Sequence, residues 1–259
     1  MSRPVHARPA VAAARRTAPA NGYFVTGTDT GVGKTVVAAI LTLGLDAEYW
    51  KPVQSGVDGP AGLSTDSECV ARWTGLPAGR LRPEAYRLAV PASPHLSAAR
   101  EGVSIRLPRL TLPATRRPLV VEGAGGILVP LNGRTLMVDL MAQLRLPVIL
   151  VARASLGTIN HTLLSLEALR ARRLPVAGVV VNGPANGADL AANVAAIQHY
   201  GQARILAVLP LLPALTPAGL RAAWGRFGGK LAPPGRGAGK AGAQPAPPDL
   251  APAPGHAAR

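Results

Sequence analysis

The sequence predicts a single α/β domain built on a doubly wound, mainly parallel sheet with helices on both faces. Three observations carry this reading. Strand-like and helix-like segments alternate from residue 21 to residue 227. Several strand-like segments are continuous apolar runs, as strands buried on both faces require. The first of them leads into a glycine-containing loop, Gly33-Lys34-Thr35 and an apolar helix.

Taken in order, Tyr23-Phe24-Val25-Thr26 is a β-branched and aromatic strand, and Val36-Val37-Ala38-Ala39-Ile40-Leu41 is the helix that follows it. Residues 48–53 read as a second strand that ends in the loop Gln54-Ser55-Gly56. A short helix over 66–73 takes Ser64 or Thr65 as N-cap, and 93–100 is a helix start with proline in its first turn. Residues 118–122 form a buried strand that stops in Glu122, followed by Gly123-Ala124-Gly125-Gly126. A threonine-capped helix spans 135–144. The clearest strand, 147–152, is followed by a helix over 158–171. A strand over 176–181 closes in Asn182-Gly183, a helix covers 189–200, a strand over 204–209 ends at Pro210, and a last helix covers 218–227. In such sheets ligands bind beyond the carboxyl ends of the strands. The loops at 27–35, 51–55, 122–126 and 153–160, with Asn182 and Pro210, all lie on that edge.

Composition limits the alternatives. Residues 1–20 are rich in Ala, Pro and Arg and carry four arginines without an acid, and residues 228–259 are dominated by Gly, Pro and Ala. Both are expected to be disordered extensions, because too little apolar area is available to offset the entropy of ordering. The net charge is +15, but its arginines are scattered, with no aromatic interleaving or basic stripe, so nucleic-acid binding is not expected. No apolar run approaches the ~20 residues of a membrane span. The single cysteine, Cys69, suits a reducing, cytoplasmic setting.

Strand, loop, Gly-Lys-Thr and helix together describe a phosphate-binding P-loop. Loop amides and the helix N-terminus present N–H donors, Lys34 adds a charge, and the Thr35 hydroxyl can sit on Mg²⁺. Thr28 stands where the usual pattern has glycine, so the loop is one residue longer than normal. Glu122, at the end of a hydrophobic run, calls for a partner such as a metal ion, and the Gly-Ala-Gly-Gly after it allows close backbone approach to a ligand. Asp66 reads as an ordinary first-turn acid that joins a metal only if the preceding loop folds back over the P-loop. Lys51 is either a solvated strand-end lysine or a charge placed for a developing anion. Thr158 and Asn160 start a helix, where anion binding and simple capping are both served. His95 and His161 have no partners at ligand spacing.

Together the motifs resemble the dethiobiotin synthetase family. The resemblance rests on YFVTGTDTGVGKT (23–35), YWKPVQSG (49–56), SPHLSAAREG (93–102), VVEGAGGILVP (120–130) and PVILVARASLGTINH (147–161), and it runs in order through most of 22–213. The longer P-loop is the form that this family has. The resemblance implies an ATP-dependent ligase that closes a ureido ring on 7,8-diaminononanoate. An amine adds to CO₂, ATP phosphorylates the carbamate to a carbamic–phosphoric anhydride, and the second amine displaces phosphate. It also implies residue roles. Lys34 and the amides of Gly31, Val32, Gly33, Thr35 and Val36 hold phosphates, with Gly123, Ala124 and Gly125 close by. Thr35, Asp66 and Glu122 hold Mg²⁺. Lys51 is catalytic, with Lys34 and Thr30 beside it, and Ser55 touches substrate. Asn182 and Gly183 read adenine with Pro210, Leu211 and Leu212. The active site lies at a homodimer interface, where Gly157, Thr158 and Asn160 take the substrate carboxylate across subunits.

Two departures stand out. Gly31 replaces an acid found in some members, and the segment before Lys51 is short, which makes the reach of Lys51 the geometric test of its role. The alternatives are less well matched. A cobyrinic acid amidating synthetase needs a nucleophilic cysteine, and a partitioning or septum-site ATPase has an extra P-loop lysine where this chain has Thr28, Asp29 and Thr30.

Overall fold

The computed structural model describes residues 21–57, 65–184, 188–227 and 229–231. The expected N-terminal extension, nearly all of the expected tail, and Ser64 lie outside the described residues.

The first half of the chain gives β1 (Gly22–Gly27), α1 (Lys34–Gly44), β2 (Glu48–Trp50), β3 (Val53–Ser55), α2 (Asp66–Thr74), β4 (Leu81–Arg82), β5 (Tyr86–Leu88) and α3 (Pro94–Arg100). The second half gives β6 (Leu119–Gly126), α4 (Met137–Leu144), β7 (Val148–Arg153), α5 (Thr158–Ala171), β8 (Val176–Asn182), α6 (Ala188–Gly201), β9 (Ile205–Leu209) and α7 (Pro217–Trp224). Among the described residues seven strands form one sheet in the order β4-β2-β6-β1-β7-β8-β9, and every pairing in it is parallel. β6 and β7 flank β1 on opposite sides, so the strand order switches direction at the P-loop strand, where a crevice opens beyond the strand ends.

The continuous apolar runs have a simple cause. Successive strand residues point to opposite faces, and here both faces are covered. Phe24, Val121, Leu150 and Val181 enter one core with Val138 and Met141 of α4 and Leu166 and Leu169 of α5. Their neighbours Val25, Val120, Ile149 and Val180 enter a second core with α1, α7 and Val70 of α2.

Four sequence expectations are corrected. Residues 48–53 are not one strand: Pro52 has no N–H to donate, the ladder breaks after Trp50, and Val53–Ser55 turns away to pair with β5 in a separate two-stranded sheet. Gln54 and Ser55 are therefore strand residues, not loop. β6 does not stop at Glu122 but continues to Gly126. α4 starts at Met137, because Thr135 is used in the preceding turn, where its N–H donates to Asn132 Oδ1 (2.9 Å) and its carbonyl accepts from Leu131 (2.9 Å). α7 starts at Pro217 behind the cap Thr216 and ends at Trp224, and a 3₁₀ turn carries the chain through Phe227.

Candidate active site

β1 delivers the chain to the loop, and α1 begins at Lys34. The Lys34 ammonium donates to the Asp29 carbonyl (2.8 Å), curling the side chain back across the loop. Burial and the nearby Lys51 charge lower its pKa to about 8, against the opposite pull of Glu122, Asp66 and Asp29. Gly33 sits at φ +92°, and a Cβ there would lie 2.0 Å from Asn182 Nδ2. Asn182, the last residue of β8, donates to the Val32 carbonyl (2.9 Å) and so ties the far strand to the loop. Gly33→Ala is thus opposed by both backbone conformation and space. It is expected to weaken ATP binding about 10–100-fold, the equivalent of about 1.4–2.8 kcal/mol. Fluorescent-nucleotide titration measures this; wild-type affinity would show that the loop does not hold the nucleotide.

Behind the loop, charged and polar groups converge from four elements. Thr35 Oγ1 on α1 lies 2.9 Å from Glu122 Oε1 on β6 and 3.0 Å from Asp66 Oδ1 at the start of α2; its one proton serves one of them at a time. Lys51, just after β2, reaches the same carboxylates: its ammonium is 2.5 Å from Asp66 Oδ2 and 3.0 Å from Glu122 Oε1, and it donates to the Gly123 carbonyl (3.2 Å). The short segment before Lys51 therefore does not prevent its reach. Lys51 is 3% exposed and Glu122 0%, so the lysine is not a solvated surface charge. Burial works against the Lys51 ammonium, but Glu122 and Asp66 outweigh it and raise its pKa, which keeps it charged. Burial pushes the Glu122 carboxyl up, with Lys51 pulling against it. Asp66 ends below the ordinary carboxylate range, because Lys51 and Thr35 overcome its partial burial.

Asp66 is first-turn acid and cluster member at once. Thr65 and Glu68 form a capping box that starts α2, and the Asp66 N–H donates to Gln54 Oε1 (3.1 Å) on β3. Gln54 was not picked out in the sequence, and neither was Tyr49, whose hydroxyl donates to Glu122 Oε2 (2.9 Å). A third missed contact joins Arg153, at the end of β7, to Asp29 of the loop.

A cleft of about 680 Å³ opens over this cluster, and its lining includes Thr30, Gly31, Gly33, Lys34, Thr35, Val36, Lys51, Ser55, Asp66, Glu122, Ala124 and Gly125. The Ser55 hydroxyl is buried without a hydrogen-bond partner in the described residues. Gly183 donates to the Leu209 carbonyl (3.0 Å), and Leu209, paired in register with Asn182, leads directly into Pro210, Leu211 and Leu212. Gly157, Thr158 and Asn160 open α5 but do not line the cleft of their own chain; Gly157 caps the helix at φ +87°, and the buried Thr158 hydroxyl makes no hydrogen bond. Among the described residues no three His, Cys, Asp or Glu side chains group as metal ligands, and no helix is long and apolar enough to cross a membrane.

A doubly wound parallel sheet, a phosphate loop at its switch point and a buried lysine–carboxylate cluster define a P-loop, ATP-dependent enzyme. A family model described as an AAA domain matches residues 21–219. Proteins named ATP-dependent dethiobiotin synthetase BioD are 55% identical from Brucella ovis and 54% from Brucella abortus, each over 203 residues, 78% of this chain and 92% of the relative. The chain belongs to the ATP-dependent dethiobiotin synthetase family. The Cyanothece McdA(D38A)–ATP complex superposes with a TM-score of 0.50 at 15% identity, covering 83% of this chain and 96% of that one, a likeness of fold.

Proposed function

We propose that this chain makes dethiobiotin from 7,8-diaminononanoate, CO₂ and ATP, releasing ADP and phosphate in biotin biosynthesis. The observation that carries the reading is the Lys51 ammonium, buried between Glu122 and Asp66 and next to Thr35 at the end of the phosphate loop. A carbamate is a small anion formed when an amine adds to CO₂. One of its oxygens attacks the γ-phosphorus of ATP, and the second amine then attacks the carbonyl carbon and expels phosphate. Little proton transfer machinery is needed; positioning and charge neutralisation supply the catalysis. Lys51 holds the carbamate, Lys34 and the amides of the loop hold the phosphates, and the unpartnered Ser55 hydroxyl is placed to bond a substrate amine. Thr30 lines the same cleft.

The Thr35 hydroxyl, with one carboxylate oxygen each of Asp66 and Glu122 within 3.0 Å of it, offers three oxygen ligands, a set that suits Mg²⁺. The ion supplies charge neutralisation for the phosphates. Asn182, Gly183 and the 210–212 backbone take the adenine. Because the start of α5 does not line its own chain's cleft, the carboxylate site at Gly157, Thr158 and Asn160 serves a partner subunit in a homodimer. The exposed Leu156 and Leu164 give that face the apolar surface that an interface needs. Residues 21–227 form the catalytic domain, with both tails outside it, and the enzyme works in the cytoplasm. The test is ATP turnover by the full chain: ADP release should require both diamine and bicarbonate. Turnover driven instead by DNA or lipid vesicles would overturn the reading in favour of a partitioning switch.

A further inference from the structure

Tyr49 is a fully buried tyrosine whose polar end has a specific task. It lies on β2 in register with Val120 of β6, two residues before Glu122, and its hydroxyl donates to Glu122 Oε2 at 2.9 Å. The two oxygens of Glu122 are thereby divided. Oε2 is bound by the core, while Oε1 alone is aimed at Thr35 and Lys51. Removing the hydroxyl leaves a buried carboxylate oxygen without a donor, free to turn toward the cluster.

We propose that Tyr49 is a positioning residue that presents Glu122 as a one-oxygen donor and so sets metal selectivity toward Mg²⁺ over Ca²⁺. This rests on the Mg²⁺ reading given above. Mg²⁺ takes near-octahedral single oxygens at about 2.0–2.1 Å, whereas Ca²⁺ accepts more ligands and two-oxygen carboxylates at about 2.3–2.6 Å. Partners that orient a ligating side chain typically govern metal affinity by about 10–100-fold.

The experiment measures Mg²⁺ and Ca²⁺ affinity calorimetrically, with the full chain saturated by a non-hydrolysable ATP analogue, for wild type, Tyr49→Phe, Glu122→Gln and the double variant. Tyr49→Phe should weaken Mg²⁺ about 10-fold or more and Ca²⁺ much less, and the loss should vanish in the Glu122→Gln background. Mg²⁺ affinity within twofold of wild type, an equal loss for both ions, or a loss that persists without Glu122 overturns the proposal. If Glu122→Gln itself leaves Mg²⁺ affinity unchanged, the Mg²⁺ reading fails first, and the proposal with it. A second measurement needs no variant. With ¹³C-glutamate in the wild-type protein, the infrared difference spectrum on Mg²⁺ addition should give the wide carboxylate splitting of one-oxygen binding. A narrow, two-oxygen splitting contradicts it.

Discussion

Lys51→Ala is expected to lower the rate of ring closure by about 10²–10³, the cost of losing one preorganised charge at a developing anion, while ATP still binds. In the proposed reading the nucleotide is held by the loop and α1, whereas the hydrogen-bond and ion-pair partners of Lys51 are Asp66, Glu122 and the Gly123 carbonyl. A second effect accompanies the first. Removing the ammonium leaves the fully buried Glu122 and the neighbouring Asp66 without their cation, and breaking a buried pair in this way costs about 3–5 kcal/mol. The variant should therefore melt lower in the absence of ligands, and Mg²⁺ with nucleotide should restore part of the loss by mass action. Single-turnover dethiobiotin formation, nucleotide titration and thermal melts separate the three effects. Near-normal ring closure would remove Lys51 from the mechanism.

Glu122→Gln should fail differently, raising the Mg²⁺ concentration needed for half-maximal rate by about 10–100-fold and lowering turnover even at saturation. The amide keeps the shape but has one acceptor where the carboxylate has two. If its oxygen stays with Tyr49, its NH₂ faces the Lys51 ammonium; if it faces Lys51, the Tyr49 donor is abandoned. Either arrangement leaves a buried polar group badly matched. Initial rates across a Mg²⁺ titration measure the effect. An unchanged Mg²⁺ requirement would mean that Glu122 is structural.

The sheet was legible because strands covered on both faces leave a plain record: Phe24 and Val25, or Ile149 and Leu150, go to opposite cores, and both must be apolar. The loop and its helix were legible from a different local record, Gly33-Lys34-Thr35 between an apolar strand and an apolar helix. The small β3–β5 sheet was not, since nothing near Pro52 says where the chain goes after its ladder breaks. In the site, Glu122 was marked by its charge at the end of an apolar run, while Lys51, at a strand end on the ligand edge, read equally well as a solvated lysine. Asp66 looked like any first-turn acid, because its meeting with Thr35 depends on contacts 31 residues apart in sequence. Tyr49 left little trace: a tyrosine in a strand reads as core, and only the neighbouring strand's Glu122 gives its hydroxyl a purpose. The one available signal was its position two residues before Lys51 in a strand that ends at the ligand edge.

The fate of the bicarbonate oxygen reports on the anhydride step. With ¹⁸O-labelled bicarbonate, 7,8-diaminononanoate and Mg·ATP, a carbamate oxygen becomes the bridge to phosphorus and leaves with it when the second amine closes the ring. One dethiobiotin should form per ADP, with the released phosphate carrying one ¹⁸O from bicarbonate. Dethiobiotin formed with unlabelled phosphate, or ATP hydrolysis without dethiobiotin, would contradict it.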